Sequence, residues 1–157
     1  MIYADSSFLV SLYLRDANSA AARGQMDAHP QQIALSRIAA LEVRNAFRLA
    51  VFRKWITPAQ ERRVQALFDS DCGDGFLRPV PFSSDEIFAE AERLSRTHTS
   101  RSGNRSLDVL HVACARLTDL EVFASFDERQ RRLAEKIGLR VAPAKYSCSW
   151  LKRRTTE

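Results

Sequence analysis

"MIYADSSFLVSLYL", residues 1–14, decides how the rest of the chain is read. Ile2, Tyr3 and Ala4 form a short apolar run of strand character. Phe8, Leu9, Val10, Leu12, Tyr13 and Leu14 supply the buried side of the helical segment that follows at once. A strand passing straight into a helix is the opening unit of an α/β fold. At the seam stands Asp5, a carboxylate between two pieces of core, followed by Ser6 and Ser7.

The same alternation continues. Helical segments run to about Met26 and Asp27, and a brief strand falls at Ile33–Leu35. A helix begins after Ser36 as N-cap, with Ile38, Leu41, Leu49 and Phe52 at helical spacing and Phe47 and Val51 filling in. Thr57 and Pro58 open the next helix, expected to end near Asp69 where "DCGDG" breaks it. "FLRPVPF" is a third strand, placed at an edge by its prolines. "SSDEIFAEAERLSRTH" is a helix with acids in its first turn and Arg93 and Arg96 late, followed by "TSRSGNRS" as a polar, basic loop. "LDVLHVACARL" is a buried helix, "EVFASF" a fourth strand, "DERQRRLAEKIG" a helix ended by Gly138, and "LRVAP" a fifth strand. The expected fold is therefore α/β, a three-layer α/β/α arrangement around a mostly parallel sheet of about five strands.

At 157 residues one domain is expected, spanning 1–143, with 144–157 as a C-terminal extension to which no role is assigned. Cys72, Cys114 and Cys148 are odd in number and widely spaced, with no C-x-x-C pair, which argues against a disulfide framework and a zinc knuckle. The start lacks a secretory signal, and no apolar stretch approaches the ~20 residues needed to span a bilayer. A cytoplasmic location without membrane association is the expectation. The formal charge of +5 and the dominance of arginine among the basic residues fit a nucleic-acid partner without requiring one.

Four carboxylates stand out. In an open parallel sheet, ligands bind beyond the carboxyl ends of the strands. Asp5 follows the first strand and Asp127 the fourth, so both address that edge. Each reads equally as a helix N-cap, stabilising by roughly 1 kcal/mol. Glu42 has Ile38, Ala39, Asn45 and Ala46 as helical neighbours and lies too far from Ser36 for a capping box; a rim position or a buried salt bridge is the structural alternative. Asp108 falls in the first turn of the most apolar helix, with Ser106 as its expected cap, where the dipole alone accounts for a negative charge. His111, on the same face as Asp108, is taken as a structural histidine. Together the acids point further: clustered carboxylates repel unless a cation neutralises them. An all-oxygen donor set favours Mg²⁺ or Mn²⁺ over zinc, and metal-assisted phosphodiester hydrolysis is the chemistry such sites perform.

"YADSSFLVSLYL", "SRIAALEVRNAF", "RSLDVLHVACARL" and "FASFDERQRRLAEKIGLRV" together resemble, in order and spacing, the motifs of PIN-domain ribonucleases, with the VapC-like toxins of toxin–antitoxin modules as the nearest subgroup. The resemblance runs from Met1 to about Pro143. It implies a compact α/β/α domain whose acids meet in one crevice. It further implies that Asp5 and Asp108 are the firmest metal ligands, and that Glu42 and Asp127 complete the site directly or through water. Ser6 stands where the family favours a hydroxyl, and Ser125 where it places a small polar residue before its last acid. The implied activity is Mg²⁺-dependent (or Mn²⁺-dependent) endoribonuclease cleavage of RNA by in-line attack of activated water, with no covalent nucleophile. The implied partners are an RNA substrate, a small cognate antitoxin and a second copy of the chain. A non-catalytic RNA- or protein-binding module of the same fold, or a DNA-directed nuclease, are the alternatives.

Other motifs lead away from rival chemistries. "DSDCGDG" starts like a calcium loop, yet Gly73 replaces a ligand and Val80 stands where the bidentate glutamate belongs. No glycine-rich nucleotide-binding motif is present. A haloacid-dehalogenase-type phosphotransferase needs a second Asp at the position of Ser7. Arg101 and Arg105 precede the Asp108 helix and read either as phosphate contacts or as a solvated loop. Lys152, Arg153 and Arg154 lie in an extension read as a frayed terminus.

Overall fold

The computed structural model describes residues 1–144; residues 145–157, with Cys148, Trp150 and the basic run at 152–154, lie outside the described residues. The elements follow the order β1 (Ile2–Ala4), α1 (Ser6–Tyr13), α2 (Ser19–Ala28), β2 (Ile33–Leu35), α3 (Arg37–Phe52), α4 (Pro58–Gly73), β3 (Leu77–Pro79), α5 (Ser84–Ser102), α6 (Ser106–Leu117), β4 (Val122–Ala124), α7 (Glu128–Lys136) and β5 (Arg140–Ala142).

All strand pairs are parallel, and the sheet order is β3-β2-β1-β4-β5. Every residue of β1 and β2 is buried, as strands covered on both faces require. Alternation along β1 divides the core in two. Ile2 and Ala4 face one side with Ile33 and Leu35, against Phe8 and Leu9 of α1, Val43 and Phe47 of α3 and Phe68 of α4. Tyr3 and Ala34 face the other, against Leu94 of α5, Val109, Val112 and Ala113 of α6 and Leu133 of α7. The layers are thus α/β/α, as expected. From β1 the chain builds outward through β2 to β3, then returns to the far side of β1 for β4 and β5. The carboxyl ends of β1 and β4 flank the switch point, where open α/β sheets form their binding crevice.

The helix ends differ from expectation in three places. α4 continues through Asp69 to Gly73, because the left-handed conformation that stops the helix falls at Gly75 (φ 78°). The three acids of the apparent calcium loop serve this helix: Asp69 pairs with Arg44 at 2.7 Å, Asp71 accepts from the Tyr13 hydroxyl at 2.5 Å, and Asp74 accepts from Ser70. α5 runs through the expected basic loop to Ser102, since threonine, serine and arginine do not break a helix, and Gly103 does (φ 63°). Ser106 is the first residue of α6 rather than its cap; Arg105 occupies the cap position, and its N–H is taken up by Asp108.

On α3 the buried stripe is Ala39, Val43, Phe47 and Ala50. Leu41 is 67% exposed and Phe52 82% exposed, so the apolar spacing seen in the sequence is wider than the face that packs on the sheet.

Candidate active site

Asp5 is fully buried at the end of β1 and caps α1, its Oδ1 accepting the Phe8 N–H at 2.9 Å. The capping role read from the sequence is therefore real, and it does not exhaust the side chain. The Ser7 hydroxyl lies 2.8 Å from Oδ1 and 2.9 Å from Oδ2, and Ser125 donates to Oδ2 at 2.8 Å. Both hydroxyls are themselves held: Ser7 Oγ accepts the Phe126 N–H at 2.8 Å, and Ser125 Oγ accepts the Asp127 N–H at 2.9 Å. Two consecutive amides after β4 thereby aim two hydroxyl protons at the carboxylate after β1. Burial raises the Asp5 pKa, and the neighbouring His111 and the bonds from Phe8, Ser7 and Ser125 offset only part of that rise.

Glu42 projects from α3 with its side chain 28% exposed. Its Oε2 accepts the Ser6 hydroxyl at 2.7 Å and lies 2.5 Å from His111 Nε2. Burial pushes its carboxyl up, but His111, by hydrogen bond and charge, and then Ser6 outweigh it and hold the pKa below the usual glutamate value. Glu42 lines a groove of mixed character between α1 and α3, with Ser6, Asp16 and Asn45 beside Val10 and Leu49. Ser6 thus serves Glu42, whereas Ser125 serves Asp5.

Asp108 is buried in the first turn of α6, where Oδ2 accepts the Arg105 N–H at 2.8 Å. Asp127, half-buried, caps α7 through Oδ1, which accepts from Arg129 N–H at 2.8 Å and Gln130 N–H at 3.1 Å. The second oxygen of each has no hydrogen-bond partner among the described residues. Arg101 and Arg105 are both exposed, Arg101 in the last turn of α5 and Arg105 just ahead of α6.

Three participants escaped the sequence reading. Ser7 registered only as a missing aspartate, although its place two residues after a capping Asp is a hydroxyl's natural reach. Tyr3 read simply as strand core. Arg131, buried in α7, donates through Nη1 to the carbonyls of Ser125 at 2.8 Å and Ala142 at 3.1 Å, and through Nη2 to Pro143 at 2.9 Å. It ties the ends of β4 and β5 together behind Ser125. No sequence signal marks it, because "ERQRRLAEK" reads as a solvated helix.

The donor chemistry fits a hard divalent cation. The candidate ligands are carboxylates, one of them deeply desolvated, and His111 is committed to Glu42 and Tyr3. Among the described residues no three His, Cys, Asp or Glu side chains group closely enough to hold one ion. Mg²⁺ is commonly bound through one or two carboxylates and keeps several waters, and a carboxylate is the kind of donor it takes.

A carboxylate is thus buried at the switch point of the parallel sheet of an α/β protein, with further acids at the starts of the adjoining helices. The chain belongs to the PIN domain family, whose profile matches residues 2–136. No curated protein matches it by sequence. Among solved structures it is similar to Mycobacterium tuberculosis VapC20, described as a sarcin–ricin loop cleaving toxin. The identity is 20% and the TM-score 0.64, over 84% of this chain and 94% of that one. It is also similar to FitAcB from Neisseria gonorrhoeae (16% identity, TM-score 0.64, 90% and 96% covered). A third is VapBC2 from Rickettsia felis, solved on a DNA fragment from its promoter (18% identity, TM-score 0.60, 90% and 97% covered). At these identities the likeness establishes the fold. Among the described residues no helix is long and apolar enough to cross a membrane.

Proposed function

We propose that this protein is a divalent-metal-dependent endoribonuclease acting as the toxin of a toxin–antitoxin pair. The observation that carries the reading is Asp5: a carboxylate buried with no cationic side chain bonded to it among the described residues, at the strand end where open α/β sheets bind ligands. A charge so placed is expensive unless a cation neutralises it. PIN-fold membership and structural likeness to toxins support the same reading.

In this reading Asp5 and Asp108 hold the ion, Glu42 and Asp127 assisting directly or through water. Bound there, Mg²⁺ supplies charge stabilisation at the phosphate and a lowered pKa for water. The chain's own groups do the rest. Ser7 and Ser125 fix the Asp5 rotamer, and Ser6 bonds Glu42. Capping bonds hold Asp108 and Asp127 at helix starts, where the dipoles favour negative charge. Arg105, exposed just ahead of Asp108 in the chain, is the residue this reading assigns to an RNA phosphate. The protein acts in the cytoplasm, is restrained by a small antitoxin, and pairs with a second copy through exposed apolar surface such as Phe52 and Trp55.

The test is cleavage of total RNA and a structured tRNA by purified protein in Mg²⁺, Mn²⁺ or EDTA, with Asp5→Asn as the control for contaminating nuclease. Metal-dependent cutting lost in the variant supports the reading. Equal cutting by the variant, or preference for flap DNA over every RNA offered, overturns it. In cells, free expression arrests growth and Asp108→Asn, at equal soluble level, does not.

A further inference from the structure

His111 joins two parts of the molecule that the catalytic reading leaves unconnected. It is 1% exposed, lies on α6, and makes a hydrogen bond with each ring nitrogen. Nε2 is 2.5 Å from Glu42 Oε2, and Nδ1 is 3.1 Å from the Tyr3 hydroxyl. Tyr3 in turn is 2.9 Å from Ser36 Oγ, which accepts the Ala39 N–H at 3.1 Å as the cap of α3. Tyr3, Ser36 and His111 are all buried, and the far end of the chain is the half-buried carboxylate of Glu42.

Proton counting fixes the link to Glu42. An ionised Glu42 only accepts, so Nε2 must carry the proton it donates. On the other side of the ring the Tyr3 hydroxyl meets Nδ1, and Tyr3 is itself held by Ser36, whose oxygen receives the Ala39 amide. The buried Cys114 thiol meets both hydroxyls. Hydroxyls anchored on a backbone amide thereby fix the plane of the imidazole, in the way that outer partners orient metal-site side chains.

Its consequence lies at Glu42. His111 and Ser6 both bond Oε2, so the carboxylate is gripped from two helices by one oxygen. Oε1 has no hydrogen-bond partner among the described residues. We propose that His111, held in place by Tyr3 and Ser36, is a positioning residue that grips Glu42 by Oε2 and leaves Oε1 for the metal and its bound waters. This rests on the nuclease reading above, since it assigns His111 a part in the same site.

Two measurements on the full chain test it. Long-range ¹H–¹⁵N correlation spectra of the ¹⁵N-labelled, metal-free protein, assigned with His111→Phe, read the tautomer directly. A proton on Nε2 is the expected result; a bare Nε2 overturns the bond to Glu42 whatever the activity. Mn²⁺ binding and RNA cleavage are then compared for the wild type, His111→Phe and His111→Gln, whose amide replaces only the donor to Glu42. We expect His111→Phe to weaken Mn²⁺ binding roughly tenfold or more and to lower kcat with little change in KM. His111→Gln should recover most of both losses. Thermal unfolding of each variant separates this from misfolding, because a merely structural role moves stability without that pattern of rescue. Wild-type Mn²⁺ binding and cutting with a folded, indifferent His111→Phe overturns the role alone. A wild type that neither binds Mn²⁺ nor cuts RNA overturns the nuclease reading, and this role with it.

Discussion

Ser125 reaches Asp5 across the seam between β4 and β1, its hydroxyl donating to Oδ2 at 2.8 Å while its oxygen receives the Asp127 amide. One buried side chain thus sets both the first and the last of the four acids. Ser125→Ala removes a donor from a buried carboxylate and leaves the Asp127 N–H without its acceptor. We expect a loss of about 1–3 kcal/mol, read as a lower urea midpoint, together with impaired metal-dependent cleavage.

Asp5→Asn should separate stability from activity. The folded-state pKa of Asp5 is raised, so the folded protein holds its proton more tightly than the unfolded chain does. Its charged form therefore costs stability above the unfolded value, about 3.9, and the cost is complete once pH exceeds the folded value. In EDTA, Asp5→Asn is accordingly more stable than the wild type near neutral pH, and the difference disappears as pH falls below about 4. Mg²⁺ should raise the melting temperature of the wild type and not of the variant. Urea midpoints measured across pH in EDTA check the first statement; a variant less stable at neutral pH contradicts it.

Arg131 supports the same region from behind. Arg131→Met leaves the carbonyls of Ser125, Ala142 and Pro143 without their charged donor, at a cost of about 3 kcal/mol. Arg131→Lys should recover less than half, because an ammonium cannot reproduce the spread of a planar guanidinium. Chemical denaturation of the two variants measures both quantities.

Gly103 ends α5 at φ 63° and starts the short link to Asp108. Gly103→Ala places a Cβ in a left-handed conformation and should cost about 1 kcal/mol, with nothing within 4 Å for the methyl to strike. An unchanged melting temperature would count against the αL geometry.

Phe52 and Trp55 stand well clear of the core. Substituting Phe52→Ser should leave the monomer's stability within about 0.5 kcal/mol of wild type. If this surface pairs with a second copy, light scattering shows the variant shifted towards monomer at a concentration where the wild type associates.

Much of the fold is legible because each strand is short, apolar and bounded by polar caps, and because Ser36, Thr57 and Ser83 open their helices as hydroxyl caps do. The ends of helices were harder to read. Polar residues from Thr99 to Ser102 look like a loop, yet they continue a helix that packs on α6 until a residue with positive φ stops it. At the site, the sequence marks the acids but not their supports. Asp5 and Asp127 occupy cap positions visible from local pattern, whereas the bond from His111 to Glu42 joins side chains 69 residues apart on different helices. Leu41 and Phe52 mislead for a related reason: helical spacing records apolar residues without telling which face meets the sheet.

β5 is the last strand among the described residues, and Ser125 depends on it twice, through its own N–H to the Ala142 carbonyl at 3.0 Å and through the Arg131 clamp. A nascent chain that has emerged only as far as α7 therefore possesses all four acids and lacks the brace that orients the first of them. In the nuclease proposed above, competence for chemistry therefore arrives late in synthesis, with residues 140–143.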